Sequence, residues 1–378
     1  MALGSEFGVS MRRLVFLGLN LLAIACGRAE PRAVAGRETA EDETRRLVAE
    51  LRLPDGEIEG GALFADSLVL VRLHPDHLLI YRRLTDTRTQ LGRRGAGPGE
   101  FRQLAWSQAV GPDTVLAYDI ASRRGTFFST TGRVLGTWSL NSLGGTPIPL
   151  AAYQPGSLLV LLNAIPSPRR GVKGVVTDSS TLLFLGFDAA PLAPGRRLAM
   201  RQIFLAGDRA VRSIDVPLAP RTHVAPTRTG FYLGRSDTTE VRFLDSVGRE
   251  ETRFWVQAQR RTVTAEVTAR LRHPPSAPRN SLRLNFTDLY EATPIASTYP
   301  LFGRLLADQG GRLWVQDYLT SGDEAPVWTV YSMTGQRLGI VRLPPRSRLM
   351  DATSEELLVV QEAEDGDESL QILSYVLR

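Results

Sequence analysis

Gly111–Leu135 reads GPDTVLAYDIASRRGTFFSTTGRVL. A polar turn, Gly111-Pro112-Asp113, gives way to an apolar run beginning at Val115. A second run ends at Ser129, three places ahead of Gly132. Serine at the first corner of a type I turn accepts from nearby backbone N–H groups, and glycine suits the fourth corner. Aromatic and β-branched residues flank the turn, so the stretch reads as a hairpin between two strands.

The unit recurs. FADSLVLVRL (Phe64–Leu73), QPGSLLVLL (Gln154–Leu162), TRTGFYLGR (Thr227–Arg235), DQGGRLWVQD (Asp308–Asp317) and TSEELLVVQ (Thr353–Gln361) each put a polar turn before a short apolar run. The six runs begin at Leu68, Val115, Leu158, Phe231, Leu313 and Leu357, and three of the five intervals lie between 43 and 47 residues. That period is characteristic of a four-stranded propeller blade. The turn marker also recurs, as Asp245/Gly248 in FLDSVGREE and Ser332/Gly335 in YSMTGQRLG. Runs such as LVLV (68–71), LLVLL (158–162) and TLLFLGF (181–187) are continuous rather than alternating, so both strand faces should be buried. Sheets stacked around an axis give that burial. The predicted fold class is all-β, a six-bladed β-propeller with one helical or loop insertion; seven blades is the alternative.

Two intervals are long, 73 and 82 residues. The first holds PSPRRGVKGVVTDSS and FDAAPLAPGRRL, which read as long loops inside one blade. The second holds an insertion at about residues 258–299, in which TVTAEVTARLRH reads as a short helix stopped by HPPSAP. At the C-terminus the last unit supplies only three strands, whereas RRLVAELRLP (Arg45–Pro54) is a strand with no local partner. Pairing the two completes the sixth blade and removes two bare sheet edges.

The glycines of RRGAGPGEF (Arg93–Phe101) test a different reading. A dinucleotide loop requires G-x-G-x-x-G between a strand and a helix, and here Pro98 interrupts a G-x-G-x-G spacing that heads into another strand. No Gly-Lys-Ser/Thr follows, so a P-loop fails as well. The run is a corner, with Phe101 expected to anchor between blades and Glu100 to meet a backbone donor or an arginine.

GRRGAGPGEF with VGPDTVLAYDIASRRGTFFSTTGRVLGTW resembles an NHL-type repeat, as does LLADQGGRLWVQDY with VWTVYSMTGQRLGIVRLP. From about residue 45 the chain resembles bacterial six-bladed β-propeller lipoproteins. NHL-type propellers mostly bind proteins, RNA or small ligands, and some relatives are enzymes, so the resemblance implies a fold more firmly than an activity.

MRRLVFLGLNLLAIAC (Met11–Cys26) joins a positive start, a twelve-residue apolar run and the single cysteine. The run is too short for a stable membrane span. It resembles a bacterial lipoprotein signal peptide, which implies cleavage and lipidation at Cys26. Gly27, rather than an aspartate, implies the outer membrane, facing the periplasm or the cell surface. Residues 1–25 are thus the N-terminal extension and signal peptide, 26–44 a polar flexible tether, and 45–378 the propeller.

Net charge is +5 and Lys173 is the single lysine, but the arginines are interleaved with acids. Nucleic acid, which selects for clustered base, is therefore not an expected partner. No cofactor and no metal are expected. His74 and His77 read as a hairpin tip, His273 as a loop residue, and His223 as a structural residue on an inner strand facing the channel. Asp119, Asp308 and Asp317 read as acceptors for turn backbone. The alternative for such acids, implied by the resemblance, is a gluconolactonase-like metal site. A serine hydrolase lacks its G-x-S-x-G elbow.

The insertion is unusually long for a blade connection. It carries Arg260, Arg261, Arg270 and Arg272 with Tyr290, and also Arg279, Arg283 and Phe286. Arginine and aromatic residues are enriched in binding hot spots, so the insertion is expected to cap the channel and dock an acidic partner. The expected function is an envelope-anchored, monomeric binding or scaffolding module for a protein or small ligand. The competing expectation is a lactonase- or lyase-type enzyme with its site at the channel mouth.

Overall fold

The structure is a computed structural model that describes residues 45–377, apart from 52, 54–55, 66, 154–155, 164–173, 207–211, 273–286 and 321–323. Cys26, the signal segment, the tether, His273, Arg279, Arg283 and Phe286 lie outside the described residues.

Strand β1 (Arg45–Leu51) precedes a first blade of β2 (Ile58–Phe64), β3 (Leu68–Leu73), β4 (His77–Arg82) and β5 (Thr87–Leu91). The two-residue strands β6 (Arg93–Arg94) and β7 (Glu100–Phe101) brace the corner to a second blade. That blade is β8 (Leu104–Ala109), β9 (Thr114–Asp119), β10 (Arg124–Ser129) and β11 (Val134–Ser139). The third comprises β12 (Thr146–Tyr153), β13 (Ser157–Asn163), β14 (Gly174–Gly186), β15 (Pro191–Ala206) and β16 (Arg212–Asp215). The fourth is β17 (Thr222–Pro226), β18 (Gly230–Arg235), β19 (Glu240–Asp245) and β20 (Glu250–Trp255). Helices α1 (Ala265–Arg272) and α2 (Thr287–Ala292) then precede the fifth blade, β21 (Arg304–Ala307), β22 (Leu313–Gln316), β23 (Val327–Tyr331) and β24 (Arg337–Arg342). The sixth is β25 (Ser347–Ala352), β26 (Glu356–Glu362) and β27 (Glu368–Tyr375), completed by β1. The fold is a six-bladed β-propeller.

The six apolar runs of the sequence are the second strands of the six blades. Their continuity has a direct cause. In β9, Val115 and Ala117 pack with the first blade while Leu116 and Tyr118 pack with the third. In β26, Leu358 and Val360 face the first blade while Leu357 and Val359 face the fifth. Each blade junction thus owns one cluster, and a middle strand supplies two clusters from alternate residues. Burying each such aliphatic side chain stabilises by roughly 1.5–3 kcal/mol.

The repeated turn marker closes the hairpins β10–β11, β19–β20 and β23–β24 in one geometry. Gly132, Gly248 and Gly335 have φ of 84–89° and donate to the carbonyls of Ser129, Asp245 and Ser332 at 3.0 Å. The side chains of those first-corner residues accept from the N–H of Arg133, Arg249 and Gln336 at 2.8–3.1 Å. Each turn also abuts the preceding blade. A Cβ on Gly248 would lie 2.3 Å from Phe184, and one on Gly335 2.4 Å from Phe254. These positions require glycine for space as well as for left-handed backbone.

The ring closes as the sequence predicts. β1 pairs antiparallel with β27, from Arg45 opposite Tyr375 to Leu51 opposite Leu370, and Leu51 joins the cluster between the sixth and first blades. The corner at Arg93–Phe101 also takes its expected form. Glu100 accepts from Gly97 N and from Arg93 Nε, each at 2.7 Å, and buried Phe101 packs 5.9 Å from Phe128.

The third blade corrects the sequence reading. The segments read as loops contribute to strands: VVTDSS belongs to β14, and PLAPGRRL opens β15. These two long strands pair with each other beyond the reach of β13, and β16 adds a fifth strand on residues 203–206. The insertion between the fourth and fifth blades is present, with α1 where a helix is predicted. Among the described residues no helix is long and apolar enough to cross a membrane.

Candidate functional site

In an up-and-down blade, the second-to-third turns and the blade-to-blade connections emerge at the same end. The insertion, the Arg235–Glu240 turn and the loop after β22 therefore share one end of the channel, called the mouth here. Arg221, one residue before β17, and Arg304, the first residue of β21, stand at that end because the chain reaches each inner strand there.

Below the mouth lies a cavity of about 460 Å³. Inner strands β17 (Thr222–Pro226) and β21 (Arg304–Ala307) form one wall, and Leu150, Leu161, Met200 and Met350 form the rest. The lining is mainly aliphatic and contains no carboxylate among the described residues. Two polar side chains mark it. Arg304 Nη1 donates to Leu349 O at 2.9 Å, tying the fifth blade to the sixth and fixing the guanidinium at the cavity. The His223 ring lies 5.3 Å from that of Phe302. Its pKa is pushed from 6.5 down to about 4, first by burial and then by the charges of Arg221 and Arg304. The imidazole is neutral at physiological pH, with one N–H donor and one acceptor nitrogen. Such an arrangement can orient a polar group of a ligand, accept a proton and hold an anion.

At the opposite end, polar contacts tie blades together. Asp351 on β25 accepts from Leu63 N at 2.8 Å, from Ala352 N at 2.8 Å and from the Gln309 side-chain amide at 3.2 Å. One carboxylate thereby links the first, fifth and sixth blades. Its pKa is raised from 3.8 to about 6, chiefly by burial, with the hydrogen bonds opposing the shift.

His223 faces the channel from an inner strand, as expected. Asp119 and Asp308 accept turn backbone, again as expected: Asp119 from the N–H of Arg102, Gln103 and Ala121, and Asp308 from Arg312 N and also from the Arg312 and Trp314 side chains. Asp317 follows β22 and its N–H donates to Val327 O at 2.9 Å. His74 and His77 flank the turn between β3 and β4, and His74 Nδ1 lies 3.3 Å from Glu59. Among the described residues no three His, Cys, Asp or Glu side chains are grouped as metal ligands.

The insertion residues spread over the mouth rather than meeting at one point. Arg261 donates to Tyr318 O and sits 5.1 Å over the Tyr299 ring. Arg260 donates to Asp237 O at 3.3 Å. Arg270 and Arg272 occupy the last turn of α1, a helix with no buried residue. Tyr290 is on α2, whose Leu289 packs with Phe204, Val216 and Ala219 beside β16. None of these arginines, nor Tyr290, lines the cavity. Sequence reasoning missed Arg304, Met350 and Asp351. The available signal was their place on the strand just before each apolar run, which is the inner strand of its blade.

No family model and no curated protein matches the chain. Solved structures do. A protein of Bacteroides fragilis described as exported aligns with a TM-score of 0.51 at 11% identity, over 90% of this chain and 97% of its own. A DUF4221-family protein of Bacteroides vulgatus aligns at a TM-score of 0.49 and 9% identity, over 89% and 99%. Virginiamycin B lyase of Staphylococcus aureus gives 0.41 at 11% identity, over 88% and 100%. At such identity the first likeness speaks for shared architecture and nothing finer.

Proposed function

We propose that this protein is a binding module of the bacterial envelope, a monomeric propeller of NHL-type repeats held at a membrane by a lipid on Cys26. It takes a small ligand in its central channel. One observation carries the reading: the cavity of about 460 Å³ lined by β17 and β21 together with residues of the third and sixth blades. Its size falls in the range of roughly 300–1,000 Å³ typical of small-molecule sites, and an aliphatic lining with a few placed polar groups is the usual chemistry of such sites. The signal-like segment ending at Cys26 supports the anchor. The exported relative in architecture supports a place beyond the inner membrane. Exposed α1, with Arg270 and Arg272, offers a second surface to an acidic envelope protein.

The test uses Ala307→Phe, which fills the cavity from β21. Wild-type protein and the variant are equilibrated with small molecules extracted from an envelope fraction, separated by gel filtration and analysed by mass spectrometry. A compound retained by the wild type and lost from the folded variant supports the channel as the site. Equal retention by both rejects it.

A further inference from the structure

We infer, resting on the channel reading above, that His223 is the residue by which the cavity reads its ligand. That ligand is a compact apolar molecule with one hydroxyl group and no positive charge.

The polar side chains of the wall differ in what they still have to offer. The Thr222 hydroxyl donates to Ala199 O at 2.5 Å, and Arg304 Nη1 donates to Leu349 O at 2.9 Å. His223 is half-buried on the same wall. Among the described residues no hydrogen bond meets its imidazole, whose neighbours are the Phe302 ring and the charges of Arg221 and Arg304. Neutral imidazole carries one donor and one acceptor nitrogen, so both functions are open to a ligand. A molecule that entered without a hydrogen-bonding group would press hydrocarbon on that ring and leave a polar group unpaired, which costs free energy. A hydroxyl can donate or accept, and therefore pairs with whichever nitrogen it meets. A carbonyl or an ether pairs with the N–H alone.

The same side chain shows which charge the site refuses. Imidazolium is a cation standing on this wall, and burial with the two arginine charges prevents its formation until about pH 4. An ammonium group brought beside the ring by a ligand would meet the same burial and the same two charges. Among the described residues the lining offers no carboxylate to offset them. Leu150, Leu161, Met200 and Met350 instead surround the one open polar group with aliphatic and thioether contacts, so the body of the ligand is apolar.

Three probes with one ring system separate these ideas: methylnaphthalene, naphthalenemethanol and naphthylmethylamine, the last an ammonium ion at neutral pH. Equilibrium dialysis is run on the wild type, on His223→Leu and His223→Gln, and on two cavity-filling variants, Ala307→Phe and Met350→Trp, after melting curves show each is folded. In the wild type the alcohol should bind about fivefold more tightly than the methyl compound, in line with one neutral hydrogen bond. The ammonium compound should bind about tenfold more weakly than the alcohol. His223→Leu brings the alcohol to the level of the methyl compound, whereas His223→Gln, which keeps a donor and an acceptor, preserves the alcohol's lead. Either filling variant loses all three probes. An alcohol with no lead in the wild type, or one whose lead persists in His223→Leu, overturns the assignment to His223; loss on filling then leaves the channel site standing. Ammonium binding equal to that of the alcohol overturns the charge exclusion. Binding that survives both filling variants overturns the channel site and this inference together. Failure of the wild type to bind any probe overturns the ligand class.

Discussion

Two half-buried titratable groups at opposite ends of the channel should pull the stability of this protein in opposite directions as pH falls. His223 has a folded-state pKa of about 4 against an ordinary 6.5. The unfolded chain therefore takes up its proton first, and stability contributed by neutral His223 is lost as pH drops from 6.5 through 4. At 1.36 kcal/mol per unit, the loss is about 3 kcal/mol. Asp351 runs the other way, because its folded pKa of about 6 exceeds the ordinary 3.8. Here the folded chain protonates first, so stability rises as pH falls through 6 and the gain is complete below 3.8, again about 3 kcal/mol. In the wild type the two contributions nearly cancel over a shared window. Single variants expose them. Urea unfolding is measured from about pH 7 to about pH 4 for the wild type, His223→Gln and Asp351→Asn. Relative to the wild type, His223→Gln should gain about 3 kcal/mol across that interval and Asp351→Asn should lose about as much. A constant offset from lost hydrogen bonds does not alter these slopes. Three parallel profiles would refute the assignment of both groups.

Further outcomes are expected elsewhere in the chain. Cys26→Ser should abolish labelling by palmitate when the full chain is expressed in a bacterium; equal labelling of both proteins removes the lipid anchor. Deleting residues 45–54 strips Leu51 from its cluster and bares β27, so melting temperature should fall or aggregation appear, whereas deleting 27–44 should change neither. Gly335→Ala combines left-handed strain of about 1–2 kcal/mol with overpacking of about 1–3 kcal/mol against Phe254. Gly366→Ala, at φ +91° with open space around it, should cost the strain alone, and equal losses in chemical denaturation would disprove the blade-to-blade seat.

The sequence announced the parts of the fold that repeat. A second strand buried on both faces writes itself as an unbroken apolar run, and a turn pressed on the preceding blade, as at Gly248 and Gly335, can tolerate only glycine. The third blade hid its long hairpin for equally physical reasons. β14 and β15 slip register at three places, which breaks the two-residue period, and Pro191, Pro194 and Gly195 at the start of β15 resemble loop chemistry. The packing of α2 depends on β16, so it could not be anticipated without that strand. Of the channel site, His223 was legible because it precedes a second-strand run. Arg304, Met350 and Leu150 lie on strands that also precede such runs, but their meeting is made by the ring and has no local pattern.

The pairing of β1 with β27 also orders events in time. Arg45 and Tyr375 are separated by nearly the whole described chain, yet they are neighbours across one ladder. As the polypeptide emerges from a ribosome or a translocation pore, its first strand must wait for its last. Blades one to five can form from local hairpins, but each intermediate leaves the sixth interface open and two edges able to pair with other chains. A chain cut short anywhere before β27 therefore cannot close in this way, and the completed ring reports that synthesis has passed β27.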